Sequence, residues 1–84
     1  LSIYPNPFSQ VFIISFNSTK EFNGEFKLIN TGGQVVYTQK SYIQNGNNEI
    51  KINANNTNLS EGYYFLKLDS ENQNILLGIK TIKK

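Results

Sequence analysis

The chain has 84 residues, 38% of them hydrophobic and 13% aromatic, which is enough for one small domain with a single core. It contains no His, Cys, Met, Trp or Arg, and without His and Cys the usual nucleophile and base pairs, thiolate metal sites and disulfides cannot be built. The formal net charge is +2 and every cation is Lys, which lacks the bidentate fork that Arg offers to phosphates and bases. We therefore expect no catalytic residue, no metal and no cofactor, and nucleic-acid binding is disfavoured.

The first predicted element is an extended segment over residues 1–4, which leads into two closely spaced prolines, Pro5 and Pro7. Each proline fixes its own φ and pushes the residue before it towards extended conformations. The segment is therefore predicted to be a rigid strap at an edge of the domain. A second strand is predicted over residues 11–16, and a polar break over residues 17–23 follows it.

The middle of the chain predicts a hairpin. Residues 25–29 alternate apolar and charged side chains, as in a strand with one buried face. The turn sequence Asn-Thr-Gly-Gly at 30–33 joins this strand to an antiparallel partner over residues 35–43. A second turn over residues 44–47 precedes an alternating strand over residues 49–53.

The strongest strand pattern covers residues 62–69, and after a polar hairpin a last strand is predicted over residues 75–83. The inward set of the strong strand is Tyr64, Leu66 and Leu68. Its outward set is only half apolar and consists of Tyr63, Phe65, Lys67 and Asp69. No segment has sustained helical periodicity, so the prediction is an all-β fold, an antiparallel β-sandwich of about seven strands.

The chain reads as a single domain over residues 1–84, without repeats or linkers. Because residue 1 is not Met, we expect it to be a fragment of a longer, secreted protein. No apolar run approaches the roughly 20 residues that span a bilayer, so stable membrane insertion is not expected. The oligomeric state stays open, because exposed edge strands of small sandwiches can pair.

Tyrosines on the predicted strands suggest an alternative function, an aromatic platform for sugars. Flat rings stack on the apolar faces of pyranoses, and phenol hydroxyls form hydrogen bonds. Aromatic residues on strands more often pack in a core or cover cross-strand neighbours, so this interpretation has a strong competitor. The alternative function is an accessory carbohydrate-binding module of a secreted enzyme, with a platform of Tyr37, Tyr42 and Tyr63.

Four short motifs occur in order along the chain. They are Tyr4-Pro5-Asn6-Pro7, a glycine and valine segment that begins at Gly33, the pattern formed by Leu59, Gly62 and Tyr64, and a final basic and aliphatic element formed by Lys80, Ile82 and Lys83. In this order the motifs resemble those of the type A C-terminal sorting domain of proteins exported by the type IX (Por) secretion system of Bacteroidetes. The turn at 30–33 departs from the shorter turn of many members of that family.

The resemblance implies an immunoglobulin-like β-sandwich that follows a cargo protein. It further implies recognition by the outer-membrane translocon and removal by a sortase-like peptidase. The cargo would pass through the periplasm to the cell surface or the medium. Carried over from the family, the residues that the translocon recognises are Gly62, Tyr64, Lys80, Ile82, Lys83 and Lys84.

Two of these residues also have a purely structural interpretation. Gly62 at the start of a strand can serve backbone geometry, and Tyr64 in the inward set can fix the strand against the facing sheet. The terminal strand is different, because alternating apolar and basic residues can pair with a receptor by edge addition. A solvated, unpaired end is the alternative for that strand.

Overall fold

The computed structural model describes residues 2–5, 11–54, 59–70 and 74–83, with backbone alone for the last range. Within these ranges the chain forms seven β-strands: β1 (Ser2–Tyr4), β2 (Val11–Ser18), β3 (Phe22–Asn30), β4 (Val35–Ile43), β5 (Gly46–Asn53), β6 (Gly62–Ser70) and β7 (Asn74–Lys83). The same ranges contain no helix, and thus none long and apolar enough to cross a membrane.

The strands form two antiparallel sheets, one with the order β1-β2-β5 and one with the order β4-β3-β6-β7. In immunoglobulin lettering the first sheet corresponds to strands A, B and E, and the second to strands C′, C, F and G. The predicted all-β, immunoglobulin-like sandwich of seven strands is therefore confirmed.

The core lies between the two sheets and follows from strict alternation along the strands. In β2 and β6 every second residue is buried, as the period of two in a strand requires. Across the layers, the rings of Phe16 in β2 and Phe26 in β3 meet edge to face with centroids 6.3 Å apart. Among the side chains that the structure describes, the core cluster contains Phe12, Ile14, Phe16, Phe26, Leu28, Ile43, Ile52, Tyr64, Leu66 and Leu68.

The polar segment between β2 and β3 is shorter than the predicted break over residues 17–23. Asn17 and Ser18 continue the β2 ladder, and β3 already begins at Phe22. Backbone pairing, of β2 with β5 and of β3 with β4, does not depend on side-chain polarity, which explains why the composition of this segment hides the end of β2 and the start of β3. Gly24 is also buried, and a Cβ there would lie only 2.7 Å from Leu68 Cδ1.

The turn at 30–33 forms the predicted hairpin between β3 and β4. The Gly33 N–H donates to the Asn30 carbonyl at 3.0 Å, and Gly33 takes a φ of +84° that favours glycine. The Asn30 side chain accepts from the N–H groups of Gly32 and Gln34, each at 3.0 Å. The asparagine therefore holds the turn through its own side chain.

The turn predicted over residues 44–47 is shorter in the structure, because β5 already begins at Gly46, and it makes no hairpin, because β4 and β5 belong to different sheets. Its geometry depends on Asn48, which is only 4% exposed. The Asn48 amide donates to the carbonyls of Gln44 and Gly46 at 2.9 and 3.1 Å, and its Oδ1 accepts from the Gln44 N–H at 2.9 Å. One buried side chain thus satisfies the backbone of the crossing.

Candidate recognition surface

The terminal strand β7 lies at the edge of the four-stranded sheet and pairs with β6. In this ladder Lys80 is opposite Phe65, Ile82 is opposite Tyr63, and Lys83 is opposite Gly62. Lys84 lies outside the described residues. The ladder therefore brings the predicted recognition positions of the terminal strand beside the start of β6.

The ladder in β7 is regular only in its last part. Leu66 pairs with Ile79 and Leu68 with Ile75, so two steps along β6 correspond to four steps along β7. A bulge of this kind bends a strand and disturbs its edge. After the bulge, residues 79–83 of β7 pair one for one with β6, as in a regular strand.

The backbone conformation at position 62 requires glycine. Its φ is +143°, a value that L side chains rarely adopt, while a Cβ built there would have no atom within 4 Å. The requirement for glycine is thus conformational and not steric.

Tyr64 lies in the core and is 4% exposed. Its hydroxyl donates to the Ser60 carbonyl at 2.6 Å, which ties the start of β6 to the loop before it. This is the tyrosine corner of immunoglobulin-like sandwiches. Leu59, at the start of the same motif, packs against the core. The structure therefore gives Tyr64 a positioning role and leaves little of its surface to a partner.

The remaining family motif residues are placed as follows. Tyr4 is 42% exposed at the end of the edge strand β1, where it pairs with Ile13, and its peptide bond to Pro5 is cis. The predicted edge position of this segment is confirmed. Gly33 lies in the β3–β4 turn, and Asn6 and Pro7 fall outside the described residues.

The motifs collect at one end of the sandwich. In the four-stranded sheet, Asn30 is opposite Tyr64, so the turn with Gly33 lies at the same end as Gly62 and Lys83. Only residues 19–21 connect β2 to β3, so the end of β2 and the start of β3 are close together. The start of β2, and with it Tyr4 of β1, therefore lies at the same end as the motifs of the other sheet.

An ion network lies on the outer face of the four-stranded sheet. Lys27 Nζ is 2.9 Å from Asp69 Oδ2 and 3.8 Å from Glu25 Oε1, and Lys67 Nζ is 3.5 Å from Asp69 Oδ1. The hydrogen bond from Lys27 lowers the pKa of the Asp69 carboxyl, against the opposing effect of desolvation, and it raises the pKa of Lys27. The alternating charges at positions 25, 27, 67 and 69 are the sequence pattern from which this network could be predicted.

The three tyrosines of the sugar-platform hypothesis do not form a common surface. Tyr37 packs against the core, and its hydroxyl donates to Gln39 Oε1 at 2.9 Å. Tyr42 is opposite Asn23 of β3, whereas Tyr63 precedes the residue opposite Asn30. Those two β3 positions are roughly 23 Å apart along the strand, at about 3.3 Å per residue.

Tyr42 lies at an open groove, away from the other two tyrosines. Its ring is 59% exposed beside an open groove, and a hydrogen bond with Glu21 raises the pKa of its hydroxyl. The groove is lined by Asn23, Gly24, Glu25, Lys40, Ser41, Tyr42, Asp69 and Ser70. Among the described residues no group of three or more acidic side chains could hold a metal ion.

The fold and the motif positions define an immunoglobulin-like domain in which the sequence motifs and the end of β7 lie together at one end. A family model described as the secretion system C-terminal sorting domain matches residues 2–84, so the chain belongs to this family. Its members are targeting modules of the type IX secretion system of Bacteroidetes, so the chain is a type IX sorting signal for export to the cell surface or extracellular space. No curated protein and no solved structure matches the chain.

Proposed function

We propose that the domain directs an upstream cargo protein across the outer membrane and is recognised through strand addition at the edge of β7. A translocon component contributes a strand that pairs with residues 80–83, and the lysines of that segment steer it to acidic groups. After export a sortase-like peptidase separates the domain from its cargo.

The observation that supports this proposal most strongly is the edge position of β7. Among the described strands only β6 pairs with it, so its second row of backbone N–H and C=O groups has no strand partner there. Such an edge is a template for another strand. Natural edges are commonly protected by bulges, and the bulge here lies between residues 75 and 79, before the segment that carries the motif.

Gly62 and Tyr64 take an indirect part in this proposal. Residues 62–65 of β6 pair with residues 80–83 of β7 and so act as the template for that segment. Gly62 and the Tyr64 hydroxyl fix where this template begins. They position the recognised strand, and the partner contacts β7.

A test of recognition uses a folded reporter that carries an inner-membrane signal peptide and residues 1–84 at its C-terminus. Deletion of residues 81–84 is expected to abolish secretion from a type IX-competent Bacteroidetes strain, because the added strand loses its template. Substitution of Lys80 and Lys83 by Gln keeps the backbone and is expected to reduce secretion partially. The matched control replaces Lys20 and Lys51, which are exposed in the other sheet and its following loop, by Gln.

Circular dichroism of the purified domains shows whether each variant keeps its β-structure. Secretion that continues after deletion of residues 81–84 contradicts the proposal. The mass of the secreted reporter tests the cleavage step, since removal of the domain shortens the reporter at its C-terminus.

A further inference from the structure

The outer face of the four-stranded sheet carries an apolar row that crosses three strands. Ile29 in β3 is opposite Val35 in β4 and opposite Phe65 in β6, so the three residues stand side by side. Val35 is 50% exposed and Phe65 42%, while Ile29 is half-buried. Tyr63, the next outward residue of β6, is 49% exposed. We call Val35, Ile29, Phe65 and Tyr63 the apolar row.

The other sheet does not have such a surface on its strand β5. The outward residues of β5 are all polar: Asn47, Glu49, Lys51 and Asn53. Of the large hydrophobic residues that are exposed in the described part of the chain, Tyr4 alone lies in the three-stranded sheet. The exposed apolar surface is thus concentrated on one face, as at protein interaction sites.

Positive charge borders the apolar row. Lys27 and Lys67 are directly opposite each other, one outward position away from Ile29 and Phe65. Like charges at such a pair destabilise a sheet, and Asp69 is the carboxylate that contacts both lysines. Glu25, which also contacts Lys27, and Asp69 are opposite each other one outward position further from the row, so the two lysines are the charged residues that stand next to Ile29 and Phe65.

The apolar row is continuous with the terminal strand. Phe65 pairs with Lys80 and Tyr63 pairs with Ile82, so a protein that adds a strand to β7 also approaches this face. Strand addition supplies hydrogen bonds, while an adjoining face supplies the side-chain contacts that give specificity.

We infer that the apolar row and its bordering lysines form a second contact surface for the export machinery. The matching surface belongs to a translocon component and combines apolar side chains with carboxylates, which complement Lys27 and Lys67. This inference rests on the proposed function and extends it from the edge of β7 to the face of the sheet. Phe65, at the centre of the row, is the principal contact residue.

The test uses the reporter fusion and compares serine substitutions on one face. Phe65→Ser and Val35→Ser are expected to lower secretion about tenfold or more, the order of effect of truncating a central interface residue. Tyr42→Ser is the matched control, because Tyr42 is an exposed aromatic residue of the same sheet at its other end. It is expected to be secreted like the parent fusion.

A second pair of variants tests the charge. Lys67→Gln removes a cation next to the apolar row, whereas Lys51→Gln removes an exposed cation from the other sheet. We expect Lys67→Gln alone to slow secretion, and we expect thermal unfolding of the purified domains to show that each variant is folded. If Phe65→Ser fails to fold, Val35→Ser, at a half-exposed position on an edge strand, decides the outcome.

Folded Phe65→Ser and Val35→Ser variants that are secreted normally overturn this inference, and the proposed function stands if deletion of residues 81–84 still blocks secretion. An equal loss for Tyr42→Ser also overturns it, because the effect then belongs to any exposed aromatic residue. Failure of the parent fusion to be secreted overturns the proposed function and this inference together.

Discussion

At the scale of residues, the motif formed by Leu59, Gly62 and Tyr64 is a structural unit at the start of β6. Leu59 packs on the core, Gly62 takes a positive φ, and the Tyr64 hydroxyl bonds to the backbone of the preceding loop. Each residue type is needed for a different physical reason, which explains the spacing. The motif sets the position of β6 and, through the ladder, that of β7.

The hydroxyl of Tyr64 gives the sharpest test of this interpretation. Tyr64→Phe keeps the buried ring but leaves the Ser60 carbonyl without its donor, so we expect a loss of about 1–2 kcal/mol in the free energy of unfolding. Chemical denaturation measures the change. Tyr4→Phe is the control, because that ring is 42% exposed on an edge strand. Equal stabilities of Tyr64→Phe and the parent domain would show that the hydrogen bond contributes nothing net.

Some of these roles could be predicted from sequence and others could not. Period-two alternation placed Tyr64, Leu66 and Leu68 inward, and all three are buried. The acceptor for the Tyr64 hydroxyl depends on the path of a loop, which alternation does not describe. Asn48 was hidden for another reason: it is one of several asparagines in a polar stretch, and nothing in the sequence distinguishes the buried one.

At the scale of elements, β3 and β6 are joined on their outer face by the contacts of Asp69 with Lys27 and Lys67. The pKa of Asp69 is lowered mainly by its hydrogen bond with Lys27. The unfolded chain therefore binds a proton more readily than the folded one around the ordinary pKa of an aspartate. This network stabilises the fold above that pKa, and its contribution is lost as the pH falls through the lower pKa of the folded state.

We expect the midpoint of thermal unfolding to fall more steeply with acid in the parent domain than in Asp69→Asn, over the range below the ordinary carboxyl pKa of 3.8. Asp69→Asn itself is expected to be less stable than the parent at neutral pH, since Lys67 then loses the carboxylate it contacts and Lys27 keeps only its longer contact with Glu25. Glu49→Gln, at an exposed position of β5, is the control for general charge. Identical acid profiles for the parent and Asp69→Asn would exclude this role of the network.

The sequence predicted which segments form strands better than it predicted where the strands end or which strands pair. All seven strands were expected, because apolar alternation and the Asn and Gly turns mark them. The ends of β2 and β3 were misjudged because polar residues continue a ladder as well as apolar ones. The sheet change between β4 and β5 was not evident, because a turn sequence does not say whether the next strand pairs with the last one.

At the scale of the molecule, the sandwich places motifs that are far apart in sequence at one end. Tyr4, the turn with Gly33, the start of β6 and the end of β7 lie there together. The resemblance of the motifs predicted the family and the fold, and both are confirmed. The clustering of the motifs and the apolar row could not be predicted in the same way, because both depend on the pairing register of the strands. That register is set by long-range contacts and not by any local sequence pattern.

The central claim is that residues 1–84 are sufficient to send a folded protein through the type IX secretion system. The most direct measurement compares the location of the reporter fusion in a type IX-competent Bacteroidetes strain and in its translocon-deficient mutant. We expect the reporter in the medium or at the cell surface of the competent strain only, and in the periplasm of the mutant. Reporter retained in the periplasm of both strains would contradict the account.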